Sequence, residues 1–381
     1  MGEGQKLRFG LVGGGEGAFI GAVHRLAAEL DGEAELVAAC CGSTPERARR
    51  AAQAIYRVPA ERAYGTTREM FAAERSLPAA RRMHFVIIAT PNSSHVTIAG
   101  EALEAGFHVV CDKPLAADLA TAEVLRDHQA ASGCRFAVTY NYTGYPMVRE
   151  ARELIAAGGL GAIRRVQCEY LQGWLAEPLE AVNKQASWRT DPARAGASGC
   201  FGDIGSHAEN LVSYVTGLRI AHLCADLASF VPGRRLDDDG NVLLRFHGGA
   251  RGVISASQVA VGEENALRLR VYGEHGGLEW SQQEPNSLLL RLADRPLQVL
   301  RTGTGGLGAL TTMSTRLPGG HPEGFLEAFA NIYRGFIADL RGTPAGDYPC
   351  LEDGIRGMRF LDRVVASDRA GGVWVAVEEN A

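Results

Sequence analysis

Apolar runs and helical stretches alternate regularly through the first 140 residues of the chain. Each short, nearly continuous apolar run predicts a strand that is covered on both faces, as in a parallel sheet. Between these runs apolar positions recur at helical spacing, and glycines close several of the predicted helices. The predicted strands cover residues 7–12, 35–41, 84–89, 107–111 and 135–140. This alternation indicates an α/β domain with a doubly wound parallel sheet over residues 1–140.

The pattern changes after Tyr140, where strands begin to follow one another. Successive strands with short glycine-containing turns are typical of an antiparallel sheet. We therefore expect a second, α+β domain over residues 141–381, with a large, mostly antiparallel sheet that carries helices on one face. Predicted strands cover 163–171, 221–230, 241–246, 252–259 and 267–272, and predicted helices cover 147–157, 325–341 and 353–367 and lie within 204–216.

The composition excludes several classes of protein. The 381 residues are 46% hydrophobic and 22% charged, with a net charge of −5, which argues against disorder. No segment is dominated by basic residues, so neither nucleic acid nor an anionic membrane is an expected partner. No apolar run reaches the roughly 18 residues of a membrane span, and no signal-peptide pattern is present, so we expect a cytoplasmic protein. The eight cysteines lack metal-ligand spacing, and no metal site is predicted.

A glycine-rich turn, GGGEGAFIG over residues 13–21, joins the first predicted strand to the first predicted helix. Glycines here let the backbone approach a pyrophosphate, and the helix N-terminus offers N–H groups to it. Gly13 and Gly15 fit the first two positions of the dinucleotide fingerprint. The third position is Ala18 or, in a longer turn, Gly21.

The tip of the second strand normally carries an acid that binds the ribose of NAD. Here it reads CGSTPER over residues 41–47 and has no Asp. Ser43, Thr44 and Arg47 suit the 2′-phosphate of NADP, whereas the two hydroxyls equally suit a plain ribose. These residues leave the choice of dinucleotide open.

Lys113 follows a buried strand in the sequence Cys111-Asp112-Lys113-Pro114. Only three of the 39 basic residues are lysines, and an ammonium is a compact donor that can lose its proton. The carboxyl ends of parallel strands are where doubly wound folds bind their ligands. The residues predicted to bind the dinucleotide are Gly13, Gly15, Ala18, Phe19, Ile20, Ser43, Thr44, Arg47, Thr90, Pro91, Asn92, His95, Asp112, Lys113 and Asn141.

Asp203 and His207 lie four residues apart at the start of a predicted helix, and so share one face. A carboxylate can fix a histidine ring and stabilise its cationic form, as a general base requires. A helix-capping Asp with an incidental His is the alternative. Polar and aromatic loop residues near these elements suit a polyhydroxylated ligand. The residues predicted to bind substrate are Lys113, Tyr142, Tyr145, Gln172, Trp188, Arg189, Asp203 and His207.

The glycine turn, the Lys-Pro pair and the Asp-x-x-x-His helix together resemble the Gfo/Idh/MocA family of sugar and inositol oxidoreductases. The stretches CDKP, TYNYTGYP, KQASWR and GDIGSH look most like the branch that holds levoglucosan dehydrogenase. The resemblance implies a Rossmann domain, an open-faced sheet domain and bound NAD or NADP, with NAD favoured. It implies Lys113, Asp203 and His207 as catalytic residues. Asp112 stands where the family more usually has Glu.

We therefore expect hydride transfer between a nicotinamide and a secondary hydroxyl or ketone of a sugar, anhydrosugar or inositol. Two alternatives remain at this stage: an NAD-dependent glycosidase that oxidises its substrate transiently, and a non-catalytic dinucleotide sensor. The open sheet face further predicts a homodimer or homotetramer, because strands such as 242–244 and 253–254 contain apolar residues that need cover.

Overall fold

The computed structural model describes residues 5–343 and 347–377. The chain forms two compact units, Met1–Tyr140 with Phe329–Ile355, and Asn141–Ala328 with Arg356–Ala381. The first boundary lies where the sequence pattern changes. The second corrects the predicted division, since residues 329–355 return to the first unit although the sequence placed all of 141–381 in the second. The extreme N-terminus, on which the expected localisation partly rests, lies outside the described residues.

The first unit contains a five-stranded parallel sheet in the order β2-β1-β3-β4-β5. Its strands are β1 (Leu7–Gly13), β2 (Ala34–Cys40), β3 (Phe85–Ala89), β4 (His108–Cys111) and β5 (Phe136–Val138). Its helices are α1 (Ile20–Glu29), α2 (Pro45–Ala54), α3 (Thr67–Ser76), α4 (His95–Glu104) and α5 (Leu119–Ser132). Strands β1, β3, β4 and β5 are almost wholly buried, as their continuous apolar runs predict, whereas the edge strand β2 is partly exposed.

Two single bridges extend this sheet at its edges. Ala63 pairs with Ala39 of β2 in the parallel sense, in the place of a further Rossmann strand. On the other side Cys350 pairs with Ala137 of β5, and Val138 donates to the carbonyl of Pro349 at 2.9 Å. The segment 329–355 is therefore joined to the first sheet by backbone pairing.

The second unit contains a nine-stranded sheet in the order β13-β12-β11-β10-β6-β9-β8-β7-β14. Neighbouring strands are antiparallel except β6 and β9, which are parallel. The strands are β6 (Ile163–Leu171), β7 (Ile220–Ala228), β8 (Asp239–Phe246), β9 (Arg251–Ser257), β10 (Ala266–Gly273), β11 (Gly276–Ser281), β12 (Ser287–Leu292), β13 (Gln298–Arg301) and β14 (Val375–Ala376). The helices are α6 (Pro146–Ala156), α7 (Lys184–Arg189), α8 (Pro192–Ala195), α9 (Ser206–Thr216), α10 (Ala309–Ser314), α11 (Phe325–Leu340), which passes into the first unit, and α12 (Leu351–Arg369). The predicted fold class is confirmed.

Helices α6 and α9 pack on one face of this sheet. On the other face, called the open face below, the described side chains of β6, β8 and β10 are exposed or partly exposed. Along β8, Val242 and Leu244 point to the covered face, whereas Leu243 is half exposed on the open one. The open face also carries ion pairs from Glu169 to Arg268 and Arg270, both at 3.4 Å. It is therefore a mixed surface and less apolar than the sequence suggested. No helix of the described ranges is long and apolar enough to cross a bilayer.

Candidate active site

The glycine turn between β1 and α1 is shaped by positive backbone angles and close packing. Gly13, Gly14 and Gly17 have φ of 94°, 73° and 73°, conformations that glycine adopts without strain. A Cβ at Gly21 would overlap the Cα of Gly14 and the hydroxyl of Tyr56. Gly21, rather than Ala18, therefore makes the close helix–turn contact of the third fingerprint position.

The first turn of α1 suits an anionic group. The helix begins at Ile20, after the 65% exposed Phe19, and has no side-chain cap. Tyr56 donates its hydroxyl to the carbonyl of Gly14 at 2.6 Å and so fixes the turn from behind. Backbone N–H groups at an uncapped helix start attract phosphate. These residues fit the pyrophosphate of a dinucleotide.

The tip of β2 lies against the same turn. A Cβ at Gly15 would collide with the carbonyl of Cys41, so the backbones of Gly15 and Cys41 are in direct contact. Beyond it Ser43, Thr44 and Arg47 are exposed. Thr44 caps α2 by accepting from the Arg47 N–H at 3.4 Å. The predicted adenosine end is therefore an exposed surface that contains no carboxylate from residues 41–45.

His95 ties together the ends of β3 and β4. It is 1% exposed, with Nε2 2.8 Å from the carbonyl of Thr90 and Nδ1 3.0 Å from the carbonyl of Pro114. Burial lowers the pKa of His95, although Asp112 and the two carbonyls oppose this. Thr90 and Pro91 are partly exposed beside it, and Asn92 is buried. His95 thus has a structural role that the sequence did not identify.

Lys113 is half buried at the carboxyl end of β4, and its peptide bond to Pro114 is cis. Its backbone N–H donates to Asp112 Oδ1 at 2.9 Å, and the Thr139 hydroxyl donates to the same oxygen at 3.0 Å. The Asp112 carboxylate therefore holds the loop through backbone and side chain together. Thiol chemistry at the preceding Cys111 is disfavoured, since burial raises its pKa well above the usual value.

A second set of polar residues lies in the other unit, around Asp203. The turn Phe201–Gly205 is π-helical and leads into α9, a distortion often found at functional sites. Asp203 accepts from Arg189 at 3.0 Å and from Gln258 at 2.9 Å. The Arg189 guanidinium also stacks on Trp188, 4.3 Å from its ring centroid. The charge of Arg189 is thus compensated by the Asp203 carboxylate.

A hydrogen-bond network with a fixed direction lies beside this set. The Trp174 indole can only donate, and it donates to Gln172 Oε1 at 2.9 Å. Gln172 must then donate through Nε2 to Asn265 Oδ1, at 2.7 Å, and Asn265 Nδ2 donates to the Tyr142 hydroxyl at 3.1 Å. Tyr170 donates to Asn265 at 2.7 Å, so the Tyr142 proton is directed to Tyr170. Tyr142, Tyr170 and Asn265 thus form a closed ring of hydrogen bonds.

His207 on α9 packs edge-on against Tyr142, with ring centroids 4.8 Å apart. Burial raises the pKa of Tyr142, against the effect of its hydrogen bonds, so this hydroxyl stays neutral. Tyr145 is 2% exposed and packs on Trp280, so the structure gives it a place in the interior. The amide nitrogen of buried Asn141 has no partner among the described residues, which fits a group that meets a ligand.

Sequence reasoning missed Tyr170, Trp174, Gln258 and Asn265. Gln172, Gln258 and Asn265 flank β6, β9 and β10, three neighbouring strands whose pairing brings residues about 90 positions apart to one edge. No local motif carries that information. Asp203 and His207 lie at the predicted turn and helix, but the role of Asp203 in orienting His207 stays a prediction.

Comparison with known proteins identifies the family. Residues 7–140 match the oxidoreductase family, NAD-binding Rossmann fold, and residues 148–279 match the GFO/IDH/MocA C-terminal domain. The uncharacterized oxidoreductase YfiI of Bacillus subtilis (strain 168) is 34% identical over 97% of this chain and 96% of its own length. An inositol dehydrogenase homolog from Azotobacter vinelandii, complexed with NADH and myo-inositol, matches with a TM-score of 0.91, 36% identity and 98% coverage of both chains. Levoglucosan dehydrogenase, in complex with NADH and levoglucosan, matches with a TM-score of 0.84 and 26% identity over 98% of this chain and 100% of that chain. The resemblance is thereby confirmed: the chain belongs to the Gfo/Idh/MocA family of oxidoreductases and contains its NAD-binding Rossmann domain.

Proposed function

We propose that this oxidoreductase transfers a hydride between NAD and a secondary hydroxyl of a neutral cyclic polyol, an inositol or an anhydrosugar. The observation that carries the proposal is the directed network of Tyr142, Tyr170, Asn265 and Gln172 beside His207. Such a set of uncharged donors and acceptors suits several hydroxyl groups of one ligand. Two structural neighbours are complexes with myo-inositol and levoglucosan.

The charge of the second-unit residues favours a neutral substrate over a phosphorylated one. Arg189 is committed to Asp203 at 3.0 Å, so its charge is balanced. A phosphate would have to compete with that carboxylate for the guanidinium, and two anions near one cation repel each other. The second-unit residues assigned to substrate therefore favour an uncharged ring.

Each catalytic residue has one task in this proposal. The nicotinamide, when bound, supplies the group that accepts or returns the hydride. His207 takes the hydroxyl proton, and Asp203 stabilises the cationic imidazole. Lys113 donates a hydrogen bond to the same oxygen and stabilises its developing negative charge. The Gly13–Gly21 turn and α1 would hold the pyrophosphate.

A substrate panel tests this proposal. The purified chain is incubated with NAD or NADP and with myo-inositol, other inositols, levoglucosan, glucose and glucose 6-phosphate, while absorbance at 340 nm is recorded. We expect NAD reduction with a neutral cyclic polyol and at least about tenfold lower kcat/KM for the phosphorylated sugar. Efficient turnover of the phosphosugar alone would contradict the proposal.

The panel also separates the alternative functions and the two dinucleotides. Release of an aglycone from a chromogenic glycoside without net NADH formation would indicate the glycosidase. Tight dinucleotide binding without any turnover would indicate the sensor. We infer a preference for NAD, as in the NADH complexes of the structural neighbours. An NADP preference that Arg47→Ala abolishes would overturn it.

We further infer that the open sheet face joins copies of this chain. Apolar side chains lie on that face among the ion pairs and include Leu243, Val253, Tyr272, Leu289 and Val299. Leu243 and Val299 are each 50% exposed. A mixed apolar and charged surface of this kind is typical of an interface between subunits.

A further inference from the structure

A fully buried histidine on α1 has no task in the proposed reaction. His24 is 0% exposed and lies one helical turn beyond Ile20, where α1 begins. Its Nδ1 lies 2.7 Å from the hydroxyl of Tyr333 on α11. The ring also packs edge-on against Phe329, with centroids 5.2 Å apart. Both imidazole nitrogens lose their water on burial, and each needs a partner to offset that cost.

The groups on either side of the His24 ring favour a proton on Nε2. Burial raises the pKa of Tyr333 well above its usual value, so its hydroxyl remains protonated. The Asp112 carboxylate on the Nε2 side of the ring favours a proton on that nitrogen, and the Tyr333 hydroxyl can then donate to Nδ1. Within residues 5–343 and 347–377, Nε2 is buried without a hydrogen-bond partner. Oδ1 of Asp112 lies 3.9 Å away, about 1 Å beyond hydrogen-bond distance.

Asp112 is a strong acceptor that already holds the Lys113 loop. Its Oδ1 accepts from the Lys113 N–H and the Thr139 hydroxyl. Burial alone would raise the pKa of Asp112, but the neighbouring His24, Lys113 and His95 keep it well below its usual range. The carboxylate is therefore anionic and favours a further N–H donor.

We propose that His24 is a positioning residue that couples dinucleotide binding at the start of α1 to the loop that carries Lys113. The inference rests on the proposed function, in which Lys113 acts on the substrate oxygen. A shift of α1 of about 1 Å towards Asp112 brings Nε2 within hydrogen-bond distance. The new bond fixes Asp112, and Asp112 fixes the backbone of Lys113.

The coupling makes substrate turnover depend on prior dinucleotide binding. Without a dinucleotide, the Asp112 carboxylate holds the backbone of Lys113 without a hydrogen bond from His24. With the pyrophosphate held at the glycine turn, His24 gives the carboxylate an additional anchor on α1. Coupling between two sites is reciprocal. If dinucleotide binding strengthens the hydrogen bond from His24 to Asp112, then a variant without this bond should bind the dinucleotide more weakly by the same factor.

Three substitutions at His24 separate this role from a purely structural one. The amide nitrogen of Gln can replace Nε2, whereas the amide of Asn can replace only Nδ1. His24→Gln should therefore preserve the coupling, and His24→Asn and His24→Phe should abolish it. A role confined to the Tyr333 contact predicts the opposite order for Gln and Asn. His128→Gln is the matched control, because His128 pairs with Glu104 at 3.4 Å elsewhere in the same unit.

The readout is hydrogen exchange of the peptide that contains the Lys113 amide, with and without ADP-ribose. ADP-ribose has the pyrophosphate but lacks the nicotinamide, so its effect on Lys113 cannot come from the reacting ring. In the unaltered chain and in His24→Gln and His128→Gln, we expect ADP-ribose to slow this exchange about tenfold. In His24→Asn and His24→Phe we expect little slowing and about tenfold weaker ADP-ribose binding.

Equal protection of the Lys113 amide in every folded variant would overturn the coupling. Should the His24 variants fail to fold, Tyr333→Phe decides, because it removes the hydroxyl that holds Nδ1 and so orients Nε2 towards Asp112, and it keeps the ring packing. Undiminished coupling in Tyr333→Phe then overturns the inference. Absence of ADP-ribose binding to the unaltered chain would overturn the inference together with dinucleotide binding itself. Normal binding and coupling without turnover of any polyol would overturn only the proposed function.

Discussion

Lys113 is one of three lysines in this chain, and its position at the end of β4 and its burial set it apart. Lys6 and Lys184 are exposed, whereas Lys113 is half buried in a loop fixed by Asp112 and Thr139. The scarcity of lysine made Lys113 visible in the sequence. The hydrogen bonds of its neighbours supply the physical reason why its backbone is held in place.

Lys113→Ala should lower kcat at least about 100-fold, because it removes a donor to the developing oxyanion. Binding of NADH should change by no more than about threefold, since other residues hold the dinucleotide. Stopped-flow turnover and NADH fluorescence titration measure the two effects. Lys184→Ala is the control and should keep normal turnover. Near-normal kcat in Lys113→Ala would remove Lys113 from the catalytic set.

The sequence predicted short local motifs, but it did not predict the hydrogen-bond networks that join distant residues. The glycine turn, Lys113 and the Asp203–His207 pair are short local patterns, and each lies at a strand end or helix start. The third fingerprint position was left open, and packing of Gly21 on Gly14 settles that contact. Asn265 and Gln258 had no local signal, because their partners come from distant strands.

In the first sheet, a histidine just before β3 and another at the start of β4 each accept a hydrogen bond from a backbone N–H in or next to the neighbouring strand. Nδ1 of His84, just before β3, accepts from the N–H of Arg8 on β1, and Nδ1 of His108 on β4 accepts from the N–H of Arg135, both at 2.9 Å. An acceptor role for Nδ1 requires that nitrogen to be unprotonated. Burial, with the nearby charges of Arg135 and His84, lowers the pKa of His108 to about 4. Burial, with Arg8, also lowers the pKa of His84.

These histidines should make the first unit sensitive to acid. Between about pH 6.5 and 4 the unfolded chain binds a proton at His108 that the folded chain does not, so stability falls as pH decreases. His108→Asn keeps an acceptor near Nδ1 and cannot titrate. It should therefore remove about 2 kcal/mol of the acid-induced loss in the free energy of unfolding, allowing for partial solvent screening. Urea unfolding at pH 7 and pH 4.5 measures this loss.

His222→Asn serves as the control for that measurement, because His222 is exposed on β7. The contribution of His108 to the acid-induced loss should remain in this variant. An equal acid loss in the unaltered chain and in His108→Asn would show that other groups cause it.

Element positions in this chain were predictable wherever a strand is buried on both faces or alternates cleanly. The predicted strand at 163–171 coincides with β6, and those of the first sheet lie within a few residues of the observed bounds. The strands β11, β12 and β13 were missed, since glycine and charged residues interrupt their apolar positions. The π-helical turn before α9 was also missed, because a helical spacing rule assumes regular α-helix.

At the scale of the whole chain, the return of residues 329–355 to the first unit was not predicted from the sequence. The helical pattern over 325–341 correctly predicts α11, but periodicity shows only that a helix has an apolar side and not what covers it. Phe336 of this segment packs on Phe85 of β3, with ring centroids 5.5 Å apart. Tyr333, the partner of His24, also comes from it. The sequence boundary therefore separated residues that the fold joins.

The open sheet face yields the remaining prediction, which concerns assembly. Val242 and Leu244 are buried, so on this sheet only the outward residues such as Leu243 and Val253 can join two copies. Leu243→Glu should place an unpaired charge in that contact, and burying such a charge is costly. Sedimentation velocity at micromolar concentration should show a dimer or tetramer for the unaltered chain and a shift towards 40.6 kDa monomer for the variant.

A comparable change elsewhere shows whether this shift depends on the face. Val124 on α5 is 48% exposed, close to the 50% of Leu243, and lies in the other unit. Val124→Glu should leave the sedimentation coefficient unchanged, because a charge on an exposed helix surface stays solvated. If the unaltered chain sediments as a monomer, the ion pairs of Glu169 with Arg268 and Arg270 form a solvated surface. If both variants sediment like the unaltered oligomer, another part of the chain joins the copies.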